Sequence, residues 1–250
     1  MKLSVVIIAK NEKDMIGECL DSVAFAEEVV IVDNGSIDNT VPLAEKRKSS
    51  VIVKTKTEDF SKLRNLGMET ARGEWILYVD SDERVSSMLR RGIERVINLP
   101  NGFISFKIKR KNFYLGNNEW PGYELLPRLF LKKSFIRWKG ALHETPLVDG
   151  KIGILDGYLF HYSHRNLSTM LTKTIEWSKV EAELRLEAKH PPMVWWRFFR
   201  VMISAFLSSY VIQGGWKVGA IGLIESMYQS FSMFITYARL WEMQNKTSEK

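Results

Sequence analysis

The chain has 250 residues, 45% of them hydrophobic and 26% charged, an ordinary globular composition that suits one large domain or one domain with an appendage. Its single cysteine, Cys19, excludes an internal disulfide and a cysteine-based zinc site. The net charge of +7 suits an anionic partner: nucleotide, nucleic acid or acidic membrane surface.

The first hundred residues alternate two periods. Leu3–Ala9 (LSVVIIA) and Glu28–Asp33 (EVVIVD) are continuous apolar runs rich in β-branched residues, the pattern of strands buried on both faces. Residues 51–54 and Trp75–Asp80 (WILYVD) repeat it. Helical patterns lie between them at 12–24, 40–48 and 61–71, the last closed by Gly73. Pro42 falls near the start of the second, where its missing N–H does no harm. A further helix is expected over 86–97, with Glu83 leading into it, where a negative charge suits the helix dipole. This β-α-β-α repetition predicts a parallel, doubly wound α/β sheet. The apolar run Val5 to Ala9 is too short for a secretory leader before Lys10, Asn11 and Glu12 interrupt it, so a cytoplasmic protein is expected.

From residue 101 the texture changes. In GFISFKIKRKNF, Ile104, Phe106 and Ile108 alternate with Ser105, Lys107 and Lys109, which predicts a half-exposed strand at a mixed edge. The run Lys107, Lys109, Arg110, Lys111 reads as its solvated face. PRLFLKKSFIRWKG and GILDGYLFHYSH supply more strands, and a long helix spans 166–189 before Pro191-Pro192. The division expected is 1–100 as one half of a domain, 101–190 as its second half, and 191–250 as an amphipathic helical tail.

In that tail the uncharged runs 201–213 and 226–238 are each too short to cross a bilayer, which takes about 20 apolar residues. Ile221, Ile224, Tyr228, Phe231 and Ile235 fall on one helical stripe, and Trp195, Trp196, Arg197, Arg200, Trp216 and Lys217 suit lipid headgroups. The expectation is a tail lying on an anionic membrane surface. A helical pair packed on the domain, a homodimer contact and a re-entrant hairpin are the alternatives.

In an open parallel sheet, ligands bind at the carboxyl ends of the strands. Lys10, Asn11 and Glu12 follow the first strand, Asp33, Asn34 and Gly35 the second, and Asp80, Ser81 and Asp82 the fourth, while SKLRNLG brings Lys62, Arg64 and Asn65 to a helix start. Residues i and i+2 of an extended segment point the same way, so Asp80 and Asp82 face one site. Two hard oxygen donors beside a diphosphate are what Mg2+ or Mn2+ takes. No Gly-rich phosphate loop of either common kind is present.

SVVIIAKNE, VVIVDNGSIDNT, FSKLRNLG and WILYVDSDE, in that order, resemble the nucleotide-sugar-binding half of inverting family 2 glycosyltransferases with the GT-A fold. RLFLKKSFIRWKGALHETP and GGWKVGAIGLIE are similar to a narrower branch, the lipopolysaccharide-core β-glucosyltransferases. The resemblance implies an enzyme that moves a hexose, glucose in that branch, from a UDP-sugar to a lipid-linked or lipopolysaccharide-type saccharide acceptor at the inner face of the membrane. It implies that Asp33 binds the nucleobase with Asn11, Glu12 and Arg64 around it, that Asp80 lies near the ribose, and that Asp82 holds Mn2+ or Mg2+ under the diphosphate; Asn65 is a further candidate for the nucleotide-sugar site. Glu144 in LHET stands where the branch keeps its general base, with His143 beside it. His161, ahead of His164, is the candidate imidazole ligand to the metal, and Arg128 is a candidate to steady the diphosphate or the acceptor. Two positions depart from the family's pattern: Ile37 replaces a hydroxyl residue after the second strand, and Leu63 precedes Arg64. The processive-synthase signature is missing, since Ser134 stands three residues before Arg137-Trp138.

The competing readings are a non-catalytic, membrane-associated nucleotide-sugar-binding relative and a transferase that uses a lipid-phosphate acceptor. A nucleic-acid partner is not expected: only the net charge suggests one, and no recognisable motif accompanies it.

Overall fold

The computed structural model describes residues 1–47, 50–99, 102–140 and 144–248; His143 lies outside the described residues. The chain forms two compact units, one of Met1–Lys111 with Glu124–His161, the other of Asn112–Tyr123 with Tyr162–Lys250.

In the first unit, β1 (Leu3–Ala9), β2 (Glu28–Asp33), β3 (Ser50–Lys54) and β4 (Trp75–Asp80) lie parallel in the order β3-β2-β1-β4. Every residue of β1 and β2 is buried. Alternate residues of β1 feed opposite layers: Val5 and Ile7 join Val29, Ile31, Leu77 and Val79, while Val6 and Ile8 join Val30, Val32, Ile76 and Tyr78. Because successive side chains of a strand point to opposite faces, both faces of the sheet must be covered. Each such apolar side chain contributes about 1.5–3 kcal/mol by leaving water.

The connecting helices are α1 (Ile16–Ser22), α2 (Thr40–Glu45), α3 (Phe60–Thr70) and α4 (Ser87–Asn98). Asp59 caps α3 by accepting the Lys62 N–H at 3.2 Å. Gly67 lets α3 ride close on the sheet, since a Cβ there would stand 2.3 Å from Val6 Cγ1. Arg64, one turn earlier on the helix, is thereby held near the sheet.

Beyond β4 the sheet becomes mixed. The short β5 (Glu83–Val85), β6 (Ser105–Tyr114), β8 (Glu124–Leu131) and β11 (Ile152–Tyr162) complete the order β3-β2-β1-β4-β8-β6-β11-β5, with β8 antiparallel to β4 and β5 antiparallel to β11. The two-residue β7 (Asn118–Glu119) pairs with the end of β6. β9 (Phe135–Lys139) and β10 (Thr145–Val148) form a separate antiparallel pair. β6 therefore corrects the edge position expected of it: it lies between β8 and β11, with both rows of backbone groups engaged. Its side-chain alternation reported the contrast between its faces, which says nothing about how many neighbours a strand has. Glu83 is likewise corrected. It lies within β5, fully buried, and α4 starts later, capped by Ser86, whose Oγ accepts the Leu89 N–H at 3.3 Å.

The second unit holds α5 (Leu167–Glu187), α6 (Trp195–Leu207) and α7 (Gly219–Ser248), with a π-helical turn over Ser208–Ile212 and a 3-10 turn over Gly215–Val218. α5, grouped by the sequence with residues 101–190, belongs here with the tail helices. α7 packs on both α5 and α6. The expected single stripe on α7 is divided: Tyr228 is buried, whereas Ile224 and Phe231 are exposed. Ser226, Ser230, Thr236 and Glu225 point inward while Trp195, Phe199, Ile203 and Leu207 of α6 face out. No described helix is long and apolar enough to cross a membrane.

Candidate active site

The carboxyl ends of β1, β2 and β4 finish level. Ala9 pairs with Asp33 across β1 and β2, and Ile8 with Asp80 across β1 and β4. Asn11, with φ of 55°, turns the chain sharply off β1. Its N–H donates to Ser36 Oγ at 3.0 Å and its Oδ1 accepts the Ile37 N–H at 2.9 Å. The Glu12 N–H donates to Thr40 Oγ1 at 2.8 Å. The loops after β1 and β2 are thus laced together. Asp33 sits at the base of that lacing, buried, with both carboxylate oxygens 3.3 Å from the Ser36 N–H. Ile37 stands 93% exposed at the loop tip.

A dense ionic centre surrounds Asp80. Arg64 Nη2 donates to its Oδ1 at 3.1 Å and Arg128 Nη2 to its Oδ2 at 2.6 Å. Burial works to raise the Asp80 carboxyl, but Arg128 and then Arg64 outweigh it and hold the group well below the usual carboxylate range. Glu83 accepts the Asp80 N–H at 2.9 Å, Arg128 Nη2 at 3.0 Å and Arg110 Nη1 at 3.4 Å. Burial opposes the charge on Arg128, and Asp80 and Glu83 more than offset it, so its pKa is raised further. A β-bulge aims this side chain. Phe106 pairs with Leu129 and Lys107 with Pro127, leaving Arg128 as the residue the ladder skips.

Arg64 also donates through Nε to Glu144 Oε1 at 2.6 Å, and its guanidinium lies 5.1 Å from the Trp138 ring centroid and 5.6 Å from that of Tyr78. Phe60, Arg64, Asp80, Arg110, Arg128 and Glu144 line a cavity of about 400 Å³ here. Arg64, expected beside Asp33, is engaged instead by Asp80 and Glu144, because α3 presents it to the end of β4. Asn65, expected at the nucleotide, grips the main chain of Trp138: its Oδ1 accepts the N–H at 2.8 Å and its Nδ2 donates to the carbonyl at 3.1 Å. Arg110 is a member the sequence reading assigned to a solvated face. The available signal was its parity with Phe106 and Ile108, both buried.

The third component is Asp82, whose Oδ2 lies 3.4 Å from His161 Nε2, both side chains largely buried. Register explains the meeting: His161 of β11 pairs directly with Glu83 of β5, the residue after Asp82. Burial lowers the His161 pKa, and the charge and hydrogen bond of Asp82 more than reverse this, so it stands above its ordinary value. His164 is elsewhere, bonded to Glu225 in the second unit. Among the described residues no three or more His, Cys, Asp or Glu side chains converge so that they could hold a metal ion between them. One carboxylate and one imidazole nonetheless fit a divalent ion that completes its shell with water and substrate phosphate.

Comparison with known proteins adds the following. The family described as glycosyl transferase family 2 matches residues 4–151. The chain is 28% identical over 268 residues to the uncharacterized glycosyltransferase RP128 of Rickettsia prowazekii, covering 98% of this chain and 89% of that one. It is 24% identical over 256 residues to the lipopolysaccharide core biosynthesis glycosyltransferase LpsC of Rhizobium meliloti, covering 97% and 93%. Among solved structures, S. aureus TarS 1–349 in complex with UDP is similar at 16% identity and a TM-score of 0.49, covering 99% and 92%, a likeness too distant to bear on the chemistry.

Proposed function

Because the chain belongs to glycosyl transferase family 2, we propose that it moves a hexose, glucose by resemblance, from a UDP-sugar to a lipid-linked or lipopolysaccharide-type saccharide acceptor, with inversion and with a divalent metal. Its fold is of the GT-A class: a parallel β3-β2-β1-β4 sheet continued by antiparallel β8, with the polar residues at the carboxyl ends of the strands. The observation that carries the proposal is the pairing of Asp82 with His161 next along the chain from the caged Asp80.

In this reading Asp33 takes the nucleobase, with Asn11 and Glu12 beside it and Ile37 covering it. Asp80, fixed by two arginines, takes the ribose, and Arg128 and Arg110 face the phosphates. Asp82 and His161 would hold Mn2+ or Mg2+, and the bound ion would offset the negative charge that the departing nucleoside diphosphate gains. The acceptor hydroxyl must lose its proton as it attacks the anomeric carbon, and a carboxylate within hydrogen-bond reach does this as general base. Glu144 is suited to it: Arg64 fixes Oε1, leaving Oε2 to take the proton. A single displacement on the face opposite the leaving group inverts the centre. The acceptor class draws support from the likeness to LpsC over nearly the whole of both chains.

The outward apolar face of α6 supports peripheral attachment to the inner, anionic leaflet. Arg197 and Arg200 lie over the Trp196 ring and Lys217 over Trp216, pairing cations with the aromatic residues that favour headgroups. The test of the function is a screen of sugar nucleotides with Mn2+ and a saccharide acceptor. Transfer from one UDP-hexose, lost in Asp82→Ala, is expected; absence of transfer and of hydrolysis with every donor would overturn the reading.

A further inference from the structure

A second cavity, of about 590 Å³, lies wholly within the second unit. That is the size of a small-ligand site and far more than a few structural waters require. Its walls are chemically particular. Tyr114 and Trp120 form an aromatic side, their centroids 5.1 Å apart. Ser208 and Ser209 come from the π-helical turn, where the Gln213 N–H reaches back to the Ser208 carbonyl at 2.9 Å. Such turns widen a helix and recur at functional sites. Glu225 and Gln229 come from α7.

Glu225 is the decisive group. Its side chain is 1% exposed, a costly place for a carboxylate. His164 Nδ1 meets both of its oxygens, at 2.9 and 3.0 Å, and Gln229 Nε2 donates to Oε1 at 2.7 Å. His164 is held for this task at φ of 35°, stacked on Tyr114 and edge-on to Tyr228. A pair serving only to join α7 to the rest of the unit would close on itself. This one borders an open cavity and fixes the Gln229 amide at its wall. Trp120, a residue 5% exposed, closes the wall behind Tyr114. Gly215 is what seats the ring, because a Cβ there would stand 2.7 Å from Trp120 Cη2.

The wall selects the ligand. None of the described lining residues is a lysine or arginine, so a phosphate or uronate finds no countercharge. The carboxylate is already matched by its imidazole and amide partners, so no cation is demanded. Hydroxyls, an amide and a carboxylate facing an aromatic platform suit the hydroxyl edge and the apolar C–H face of a pyranose. We propose that this cavity is a carbohydrate site that takes a neutral hexopyranose, distinct from the donor site. The sugar stacks on Tyr114, which Trp120 backs, while its hydroxyls bond Gln229, which Glu225 holds in place, and Ser208 of the π-helical turn.

The test is saturation-transfer NMR on the full chain with methyl β-glucoside, methyl β-galactoside, glucuronate and glucose 1-phosphate, in EDTA so that metal-dependent donor binding is silent. At least one methyl hexoside should bind and neither anion should. Ser204→Phe, which fills the cavity from its exposed wall, and Gln229→Ala should each weaken that binding at least tenfold with unchanged thermal melting. Asp82→Ala should leave it intact, and so should excess UDP with Mn2+ in a parallel sample without EDTA. No binding of either hexoside, binding unmoved by both cavity variants, or displacement by UDP would each overturn the site. Failure of sugar transfer from UDP-hexoses would count against the proposed function alone, since this binding requires neither metal nor donor.

Discussion

His161 Nε2, near the end of β11, and Asp82 Oδ2, two residues past the end of β4, stand 3.4 Å apart although β4 and β11 are not neighbours in the sheet. The short strand β5 makes the connection by carrying the chain from Asp82 into direct pairing with β11. If the two side chains hold one ion, His161→Ala and Asp82→Ala should both lose Mn2+ binding measured by calorimetry. Transfer should fall about 100-fold or more, beyond the 10–100-fold typical of residues that only support a ligand. Thermal melting without metal should show both variants folded. Normal Mn2+ affinity in His161→Ala would remove the imidazole from the site.

Glu144 and Arg64 give a second test. Glu144→Gln keeps an oxygen for Arg64 Nε but can no longer accept a proton. Its kcat should drop by about 10²–10⁴, the usual worth of general base catalysis, with little change in donor KM. Glu144→Asp should recover part of the loss. A Gln variant within a few-fold of the parent rate would assign the proton to another group.

Glu83 carries a stability prediction. It is fully buried between Arg128 and Arg110 and also accepts the Asp80 N–H. Glu83→Ala would leave two guanidinium groups short of a partner in a buried setting, a change that costs about 3–5 kcal/mol when one side of a buried pair is removed. Urea denaturation measures it. A loss under 1 kcal/mol, within the range of an exposed ion pair, would mean that water replaces the carboxylate there.

The parallel half of the sheet was legible for a physical reason. Short uninterrupted apolar runs rich in β-branched residues suit strands covered on both faces, and β1, β2 and β4 run over the residues their patterns indicate. The ionic centre was less legible. Asp80, Arg64, Arg128 and Glu144 could each be named from the sequence, but their mutual pairing depends on β8 lying against β4 and on a bulge at Arg128. Neither leaves a local mark. Glu83 looked like a helix-start acid because a three-residue strand has too short a pattern to detect. The unit to which α5 belongs was hidden as well, since Pro191-Pro192 marks a break in the helix and not a break in packing.

Glu28 supplies the pH dependence. It is buried at the start of β2 and accepts the Ser4 hydroxyl at 2.6 Å, the Arg72 N–H at 2.8 Å and Arg72 Nε at 2.7 Å. Burial pushes its carboxyl up, but the Arg72 N–H, the Ser4 hydroxyl and the Arg72 guanidinium more than offset this and hold it below its ordinary value. A depressed carboxyl stabilises the fold fully above its unfolded pKa of about 4.3 and loses that contribution as pH falls through the lower folded value. Glu28→Gln should therefore cost about 1–3 kcal/mol at neutral pH. Arg72 is 68% exposed, so most of that rests on Ser4 and the backbone N–H. The difference from the parent should shrink below about pH 4. A gap that stays constant into acid would assign the cost to packing instead of charge.

The outward face of α6 yields the last prediction. Trp195 is 76% and Phe199 60% exposed, one helical turn apart, with Ile203 and Leu207 continuing the same face. Trp195→Ser with Phe199→Ser removes two large apolar groups from that face without touching the unit's core at Val201, Tyr237 and Leu240. Since a fully buried aromatic or aliphatic side chain contributes about 1.5–3 kcal/mol, sedimentation with anionic vesicles should weaken at least tenfold. Zwitterionic vesicles should bind the parent less well than anionic ones, and salt should narrow that difference by screening Arg197, Arg200 and Lys217. If the face instead meets a second copy of the chain, the parent will sediment as a dimer in analytical ultracentrifugation, the double variant will be a monomer, and vesicles will bind the two alike.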